Sequence, residues 1–385
     1  MIMKNDFSYD LLIIGGGISA CVFASKYLQN NVKKIALIEA GRGLGGRSST
    51  RISKRFKGWK LNHGAPNLNI SKSNDNLLLK NYINELLEKK LIQIDDSELI
   101  SLGDESKLKL IKKSEFYCGD SYLSSFTMSE LSQKIIEFNN VRRKIDLFFE
   151  TLIVDLMFNN DEWSLTSKNG EKFKSKYLIC STNLLMHKRS LKILNINQIP
   201  LRKAIPKNKD KKIDLLLNFL NKQSFIPRIT FLIYTNNNYR YKDEYTKKYR
   251  YFYLNKHLEN KYDIERVVFQ LQKNKRLGIV VHSRRIDFLR GYKKDENDDI
   301  FKKKILIRFN NLFHSNTYIN ELHGNEEVSI MNWRASQPLG NGVPSDLQFC
   351  EKYKIGFCGD WFAEDGFGRI EGAILSALKL VNKIK

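Results

Sequence analysis

Residues 9–39, YDLLIIGGGISACVFASKYLQNNVKKIALIE, decide the fold of this chain. The apolar run 9–14 ends in glycines, and residues 18–28 are small and apolar, as is typical of a helix packed on a sheet. Residues 34–39 form a second run of the buried-strand type. Strand, glycine turn, helix and strand in this order predict the βαβ crossover of a parallel sheet, and hence an α/β chain of Rossmann type.

The glycine turn has the pattern of a dinucleotide-binding loop. Gly15 permits a tight turn, Gly17 lets the backbone approach a pyrophosphate, and Ala20 in the third-glycine place allows close packing of helix on strand. The first amides of the helix, at Ile18 and Ser19, present the positive end of its dipole to phosphate groups. This turn therefore predicts a site for the pyrophosphate of a dinucleotide.

An acidic residue ends the second strand. Glu39 lies 24 residues after Gly15, where a carboxylate accepts hydrogen bonds from both ribose hydroxyls of an adenosine and disfavours a 2′-phosphate. The pattern predicts an adenine dinucleotide but does not separate FAD from NAD.

Length and composition bound the remaining possibilities. A chain of 385 residues with 42% hydrophobic residues exceeds the size at which a single core stops growing, so we expect two lobes. The net charge of +23 would attract nucleotides, acidic proteins, nucleic acid or anionic lipid, although a general bias towards lysine explains it as well. No run of about 18 apolar residues is present, so we expect a protein without a membrane span.

The five cysteines are scattered, without a C-x-x-C pair or a histidine at metal-ligand spacing. This distribution predicts a reducing, cytoplasmic location and no structural metal. The cysteines are Cys21, Cys118, Cys180, Cys350 and Cys358.

The rest of the chain alternates between strand-like and helix-like segments. Turn residues separate strand-like runs at 151–158, 162–167 and 172–180, which predict a small antiparallel meander. Further predicted strands are 225–234, 277–282 and 354–358; predicted helices are 129–138, 298–312 and 370–384, and residues 77–111 are helix-permissive. We assign 1–76, 141–183 and 325–385 to a discontinuous dinucleotide-binding domain, and 77–140 and 184–324 to an inserted α+β substrate domain.

Residues 43–47, GLGGR, directly follow the second strand and resemble the corresponding segment of the amine-oxidase-like flavoproteins. The resemblance implies a glutathione-reductase-like domain that binds FAD, with Gly46 and Arg47 at the pyrophosphate.

A second segment, 61–66, LNHGAP, resembles the strand of that family that lies against the isoalloxazine ring. Gly64 and Ala65 match the family pattern, and the resemblance implies ring contacts from these residues, Pro66 and Asn67. Pro66 stands where glutamine is usual, and so removes a backbone donor and a side-chain amide.

The third segment of the resemblance is C-terminal, with GFCGD at 356–360 and GRIEGA at 368–373. It implies that Gly359 and Asp360 meet the ribityl or pyrophosphate group. The amides at Ile370, Glu371 and Gly372 would point at flavin N1 and O2. A helix N-terminus there favours the negative charge that a flavin gains on hydride uptake.

Cys358 lies in the apolar strand before Gly359, where a buried structural thiol is typical. We therefore expect the FAD to be bound non-covalently.

Two further runs, GIVVHS at 278–283 and NWRASQP at 332–338, resemble the renalase-like members of this superfamily. That resemblance implies oxidation of a reduced nicotinamide nucleotide, with hydride passing to flavin N5 and electrons to O2. A dihydropyridine already carries its hydride, so no general base is required. Trp333, Arg334 and Asn67 are the candidates for the substrate pocket, whereas His63 and His282 are interpreted as hydrogen-bonded core residues.

Two alternatives stay open. The same fold supports oxidation of an amine or desaturation of a carbon skeleton, and the amine oxidases commonly place a lysine–water pair near N5. The second alternative is a non-enzymatic flavin protein whose basic surface binds an anionic partner, because arginine and lysine interleave with tyrosine at 239–253. A hairpin with a solvated face explains that run equally simply, so nucleic acid is the less favoured partner.

Overall fold

The computed structural model describes most of the chain. The described residues are 6–31, 33–102, 108–110, 119–137, 144–235, 248–271, 277–283, 298–314 and 321–384.

Within these residues the strands are β1 (Asp6–Ile14), β2 (Ile35–Ile38), β3 (Thr50–Ile52), β4 (Lys60–Asn62), β5 (Leu68–Ser71), β6 (Ile92–Ile94), β7 (Glu98–Leu102), β8 (Leu108–Leu110), β9 (Gly119–Ser124), β10 (Ile145–Phe148), β11 (Ile153–Asn159), β12 (Glu162–Ser167), β13 (Lys172–Cys180), β14 (Ser224–Tyr234), β15 (Tyr249–Leu254), β16 (Arg266–Leu271), β17 (Leu277–Ser283), β18 (Glu327–Leu339), β19 (Phe349–Cys350) and β20 (Ile355–Phe357). The α-helices are α1 (Ile18–Gln29), α2 (Leu77–Glu88), α3 (Met128–Glu137), α4 (Arg189–Leu194), α5 (Pro200–Ala204), α6 (Lys211–Lys222), α7 (Lys256–Tyr262), α8 (Asp298–Phe313) and α9 (Ile370–Val381).

The first sheet is built on parallel strands in the order β10-β2-β1-β13-β20. The predicted meander is confirmed as β11 and β12, which extend antiparallel from β13. Alternate residues of β1 enter two separate cores, Leu11 and Ile13 on one face and Leu12 and Ile14 on the other. Burial on both faces explains why this strand is a continuous apolar run.

The parallel strands end together at one edge of the sheet. Ile14, the last residue of β1, lies opposite both Ile38 of β2 and Cys180 of β13. The segments that follow these strands therefore emerge at one edge, where ligands bind in open α/β sheets.

The second sheet has the order β18-β14-β17-β16-β15-β7-β8 and is antiparallel except between β15 and β7. Its register aligns Thr230, His282, Arg266 and Tyr253 as successive cross-strand neighbours. Direct cross-strand neighbours share a face, so these side chains form one row. Residues of α8, such as Phe309, belong to a core with the opposite face of this sheet.

Four helices that the sequence places in the substrate domain pack instead on the first sheet. Leu79 and Ile83 of α2 and Leu131 of α3 share a core with α1 and α9. Leu201 of α5 and Leu216 of α6 share the core of the other face. This packing differs from the predicted domain boundaries. Those boundaries were placed by distance along the chain from the βαβ unit, whereas the apolar faces of these helices pack on the first sheet.

The helix-permissive segment 77–111 is helical only as far as Glu88. The strands β6, β7 and β8 follow it. β7 pairs in parallel with β15, which lies about 150 residues later in the chain. Such pairing overrides local helix propensity.

No helix in the described part of the chain is long and apolar enough to cross a membrane. Among the same residues, no group of three or more histidine, cysteine or acidic side chains is arranged to hold a metal ion.

Candidate cofactor and substrate site

A cavity of about 490 Å³ lies between the carboxyl edge of the first sheet and one face of the second sheet. This volume is in the range of small-molecule and cofactor sites. The predicted site residues that line it are Gly15, Gly17, Ile18, Ser19, Glu39, Gly46, Arg47, Gly64, Ala65, Pro66, Asn67, Trp333, Gly359, Asp360 and Ile370. The predicted residues that do not line it are Ala20, Arg334, Glu371 and Gly372.

The N-terminus of α1 opens onto this cavity. Its N-cap is Gly17, which has no side chain to cap the first turn. A Cβ placed on Gly17 would meet no protein atom within 4 Å. Gly15 has φ +100°, a conformation that favours glycine. The first amides of a twelve-residue helix therefore face an open space, as an anion site requires.

Glu39 is held in place by the backbone on both sides of it. Its Oε2 accepts a hydrogen bond from Gly16 N at 2.5 Å and its Oε1 accepts one from Gly41 N at 2.5 Å. A carboxylate has about four lone-pair sites, so acceptor capacity is left for ribose hydroxyls at the cavity.

Arg47 joins three distant parts of the chain. Its Nη2 donates to Asp360 Oδ1 at 2.5 Å, and its Nη1 donates to the carbonyl oxygen of Ser336 at 3.4 Å. The predicted pyrophosphate residue thus lies beside the predicted ribityl residue, and β18 of the second sheet is tied to both.

Gly64 is required by the backbone beside it. A Cβ at Gly64 would overlap the carbonyl oxygen of Arg47, which also accepts a hydrogen bond from Ala65 N at 3.0 Å. The close approach of two backbone segments therefore explains why residue 64 is glycine. The resemblance had instead implied a contact between Gly64 and the isoalloxazine ring. Asn67 is buried and donates to Ser121 Oγ at 2.6 Å.

The N-terminus of α9 also opens onto the cavity, through Ile370 and without a side-chain cap. Glu371 points away from it and is fully buried. Its carboxylate accepts hydrogen bonds from Ser71 N at 3.0 Å, Ser71 Oγ at 2.9 Å and Asn74 Nδ2 at 2.8 Å, and it pairs with Arg369. The predicted cofactor residue Glu371 therefore anchors the helix start, and Gly372 packs against Gly366.

Trp333 is the candidate pocket residue that the second sheet presents to the cavity, and it stacks on His63 with ring centroids 5.1 Å apart. Its neighbour Arg334 is exposed and lies outside the lining, because successive residues of a strand point to opposite faces.

Several further residues line the cavity and were not predicted from the sequence. They are Arg189, Phe225, Arg228, Tyr253 and Arg266. Arg228 forms a buried bidentate ion pair with Glu265, at 2.8 and 3.1 Å. No local motif marks these residues, because the register between strands brings four of them together and the packing of α4 beside β14 adds Arg189.

Both lining histidines are neutral at physiological pH. Burial, and then the charge of Arg51, lowers the pKa of His63 to about 4. Burial, and then Arg266 and Arg228, lowers the pKa of His282 well below its usual range. His63 Nε2 lies 3.1 Å from Ser49 Oγ and His282 Nδ1 lies 3.2 Å from Thr230 Oγ1, so both are hydrogen-bonded residues, as the sequence predicted.

We expect the free energy of unfolding to fall as pH is lowered from 7 towards 4, and His63 to contribute to that fall. The unfolded chain binds a proton near pH 6.5, whereas folded His63 does so only near pH 4, so stability is lost with falling pH and is flat above pH 7. The contribution of His63 at pH 4 is about 3 kcal/mol. Urea unfolding of His63→Phe, which keeps an aromatic ring beside Trp333, should show a shallower pH dependence than the unchanged protein. The exposed His257→Gln serves as control; an unaltered slope in His63→Phe would contradict the assignment.

Cys358 is fully buried and does not line the cavity. Burial raises the pKa of its thiol to about 12, so it stays protonated and is a poor nucleophile.

The tyrosine-rich run 239–253 is only partly described, and residues 239–247 lie outside the described part of the chain. Tyr251 is buried in β15 and donates to Asp95 Oδ2 at 2.8 Å. Tyr253 lines the cavity. The described end of this run is thus part of the second sheet and its core.

Comparison with known proteins is consistent with this architecture. The family described as NAD(P)-binding Rossmann-like domain matches residues 13–86. No curated protein matches the chain.

Solved structures match over nearly the whole length. Cyclohexylamine oxidase from Brevibacterium oxydans IH-35A has a TM-score of 0.65 at 10% identity, covering 98% of both chains. A putative protoporphyrinogen oxidase from Exiguobacterium sp. 255-15 has a TM-score of 0.63 at 11% identity, also covering 98% of both chains. Wild-type putrescine oxidase bound to putrescine has a TM-score of 0.59 at 11% identity, covering 99% of both chains. The predicted fold, a Rossmann-type α/β domain combined with an α+β part, is confirmed.

Proposed function

We propose that this chain is an FAD-dependent oxidoreductase that oxidises an anionic substrate, a reduced nicotinamide nucleotide as in renalase-like proteins, and passes the electrons to O2. The observation that carries the proposal is the charge of the cavity. Its described lining contains five arginines, no lysine and two carboxylates. Three of these arginines are paired with carboxylates, whereas no carboxylate of a described residue lies at ion-pair distance from Arg189.

The lining residues fit a non-covalently bound FAD. The uncapped start of α1 and Arg47 would hold the pyrophosphate, Glu39 the adenosine ribose, and Asp360 the ribityl chain. The uncapped start of α9 would face the pyrimidine edge of the ring. When bound, FAD supplies the hydride acceptor and the route of electrons to oxygen. Cys358 lies outside the cavity with a protonated thiol, which supports a dissociable cofactor.

The charge distribution favours an anionic substrate over a cationic amine. Asp360 is already neutralised by Arg47, and Glu39, which accepts hydrogen bonds from two backbone amides, lies at the place proposed for the adenosine ribose and not at the ring. Placing such a cation among arginines is unfavourable, whereas phosphate groups would be attracted. The absence of lysine among the described lining residues also argues against the lysine–water arrangement of amine oxidases.

The chain's own residues would contribute binding and orientation. Trp333 and His63 form a stacked aromatic wall, and neutral His63 and His282 keep added charge away from a dihydropyridine ring. Alignment of such a ring for hydride transfer requires positioning and no proton removal. This agrees with a described lining whose two carboxylates, Glu39 and Asp360, both accept hydrogen bonds from other protein groups.

The second candidate function is oxidation of an amine, and the similarity in fold to cyclohexylamine and putrescine oxidases is the observation that favours it. At 10 and 11% identity this similarity shows a common fold and nothing about the substrate. We therefore choose between the two candidate functions by the charge of the residues that line the cavity.

Anaerobic titration distinguishes these functions. We expect the visible absorbance band of the flavin to bleach on addition of dihydronicotinamide nucleotides, including the isomers reduced at other ring positions, and to persist with mono- and diamines. Readmission of oxygen should restore the band and yield hydrogen peroxide. Bleaching by amines alone would reject the proposal, and a purified protein without a flavin band that also fails to bind added FAD would reject both candidates.

A further inference from the structure

Arg189 differs from three other arginines of the cavity in having no carboxylate partner within the described part of the chain. Arg47, Arg228 and Arg369 are each paired with a carboxylate, Asp360, Glu265 and Glu371 respectively. The side-chain hydrogen bond of Arg189 goes to a neutral amide, Asn183 Oδ1, at 2.8 Å. Among the described residues no carboxylate lies at ion-pair distance from Arg189, and its buried Nε has no hydrogen-bond partner.

The guanidinium group of Arg189 is nevertheless held in a fixed orientation. It stacks on the ring of Phe225 at 4.1 Å from the ring centroid, while Asn183 binds its Nη2. All three residues line the cavity. A group ordered in this way loses little conformational entropy when it binds a ligand, and a planar guanidinium suits bidentate recognition of phosphate or carboxylate oxygens.

The surroundings of Arg189 are positive. Burial, and then the charge of Arg47, lowers the pKa of its guanidinium to about 10. It is still protonated at pH 7, so this part of the cavity carries a charge that an anion would neutralise. An anion bound there would offset the repulsion between Arg189 and Arg47.

The position of Arg189 points to the substrate side of the cavity. Its stacking partner Phe225 is on β14 and lies opposite Pro338 of β18. Pro338 and its neighbour Gln337 border Gly368, which lies just before the start of α9. The start of α9 is the part of the cavity proposed for the pyrimidine edge of the flavin ring.

We propose that Arg189, oriented by Asn183 and Phe225, is a specificity-determining residue that binds a phosphate group of the anionic substrate. This inference rests on the proposed function and names the subsite that recognises the substrate.

The test compares two hydride donors that differ by one phosphate, reduced nicotinamide mononucleotide and reduced nicotinamide riboside. Rapid mixing of the flavin-loaded protein with each donor in the absence of oxygen gives a dissociation constant and a limiting rate of flavin bleaching. We expect the unchanged protein to bind the mononucleotide roughly 30-fold more tightly, as one charge-assisted contact typically provides. In Arg189→Gln this preference should shrink to about 3-fold or less, with the riboside constant and both limiting rates unchanged.

Two further variants make the result specific. Arg189→Lys retains a positive charge without the planar fork and should keep part of the preference. Lys188→Gln removes the same charge from the adjacent exposed side chain and should behave as the unchanged protein. Equal weakening of both donors in Arg189→Gln, or release of FAD from that variant, would overturn the assignment and place Arg189 in a structural or cofactor-binding role.

A separate measurement tests the anion subsite if the proposed function is wrong. If neither donor bleaches the flavin, the nicotinamide proposal is wrong, and the subsite is then judged by calorimetric titration with inorganic pyrophosphate. Binding that weakens at least about 10-fold in Arg189→Gln and is kept in Lys188→Gln would retain the anion subsite. Equal binding by both variants, or none by the unchanged flavin-loaded protein, would refute it.

Discussion

Replacing Gly17 by valine is expected to weaken FAD binding by about 100-fold or more while leaving the protein folded. Gly17 has φ −71° and ψ 172°, an extended conformation that valine adopts readily. A Cβ there meets no protein atom within 4 Å, so the added side chain projects into the space in front of the α1 amides. It would occupy the place of the pyrophosphate and shield the donors that bind it.

The measurement is flavin content per chain together with the dissociation constant from fluorescence quenching of added FAD. Urea unfolding of the cofactor-free protein should change by about 1 kcal/mol or less, since valine is only a poorer N-cap than glycine. Gly43→Val is the matched control, because a Cβ at Gly43 also meets nothing within 4 Å and Gly43 does not line the cavity. Full flavin content in Gly17→Val, or equal loss in both variants, would show that the start of α1 is not the cofactor site.

Replacing Glu371 by alanine is expected to lower the free energy of unfolding by about 3–5 kcal/mol. The carboxylate is fully buried and binds Ser71, Asn74 and Arg369. Its removal would leave the Arg369 guanidinium, whose side chain is 17% exposed, without this counter-charge, and would release residues 71–74 from the start of α9. Glu371→Gln keeps the shape of the side chain and should cost less, about 1–3 kcal/mol.

Urea unfolding at pH 7.5 with FAD present at equal saturation measures both changes. Asp365→Ala, an exposed acidic residue of the same segment, should change stability by about 0.5 kcal/mol or less. FAD affinity separates the two roles considered for Glu371. Glu371→Gln should bind FAD almost normally, because the side chain anchors the helix and the backbone amide that the resemblance places at the flavin is kept. Loss of FAD at unchanged stability would instead support a direct cofactor contact by the carboxylate.

The cofactor end of the site was largely predictable from sequence, because each part is a short local pattern. Gly15, Gly17 and Glu39 lie within one βαβ unit, where the order of strand, turn and helix dictates where their backbones point. Gly46–Arg47 and Asp360 lie in segments that follow strands of the same sheet. Strands of a parallel sheet that end in register bring such segments to one edge, so knowledge of the fold class was enough to gather them.

The substrate end could not be predicted in this way. Arg189, Phe225 and Arg228 are ordinary residues on a short helix and a strand, and neither carries a motif. Their arrangement depends on how β14 pairs with β18 and how α4 packs beside it. The register of β14 and β18 is set by contacts between segments about 100 residues apart. It cannot be predicted from composition or from local sequence.

The sequence alone therefore determined the presence of a Rossmann-type dinucleotide fold, because glycine conformation and apolar periodicity act over a few neighbouring residues. Only the tertiary structure decided what surrounds the ring end of the cavity. There the second sheet supplies arginines in place of carboxylates, Glu371 turns inward to bind Arg369, and Arg189 is ordered by Asn183 and Phe225. The reason is that burial and charge pairing are properties of residues that meet in space, and the chain brings them together from distant positions.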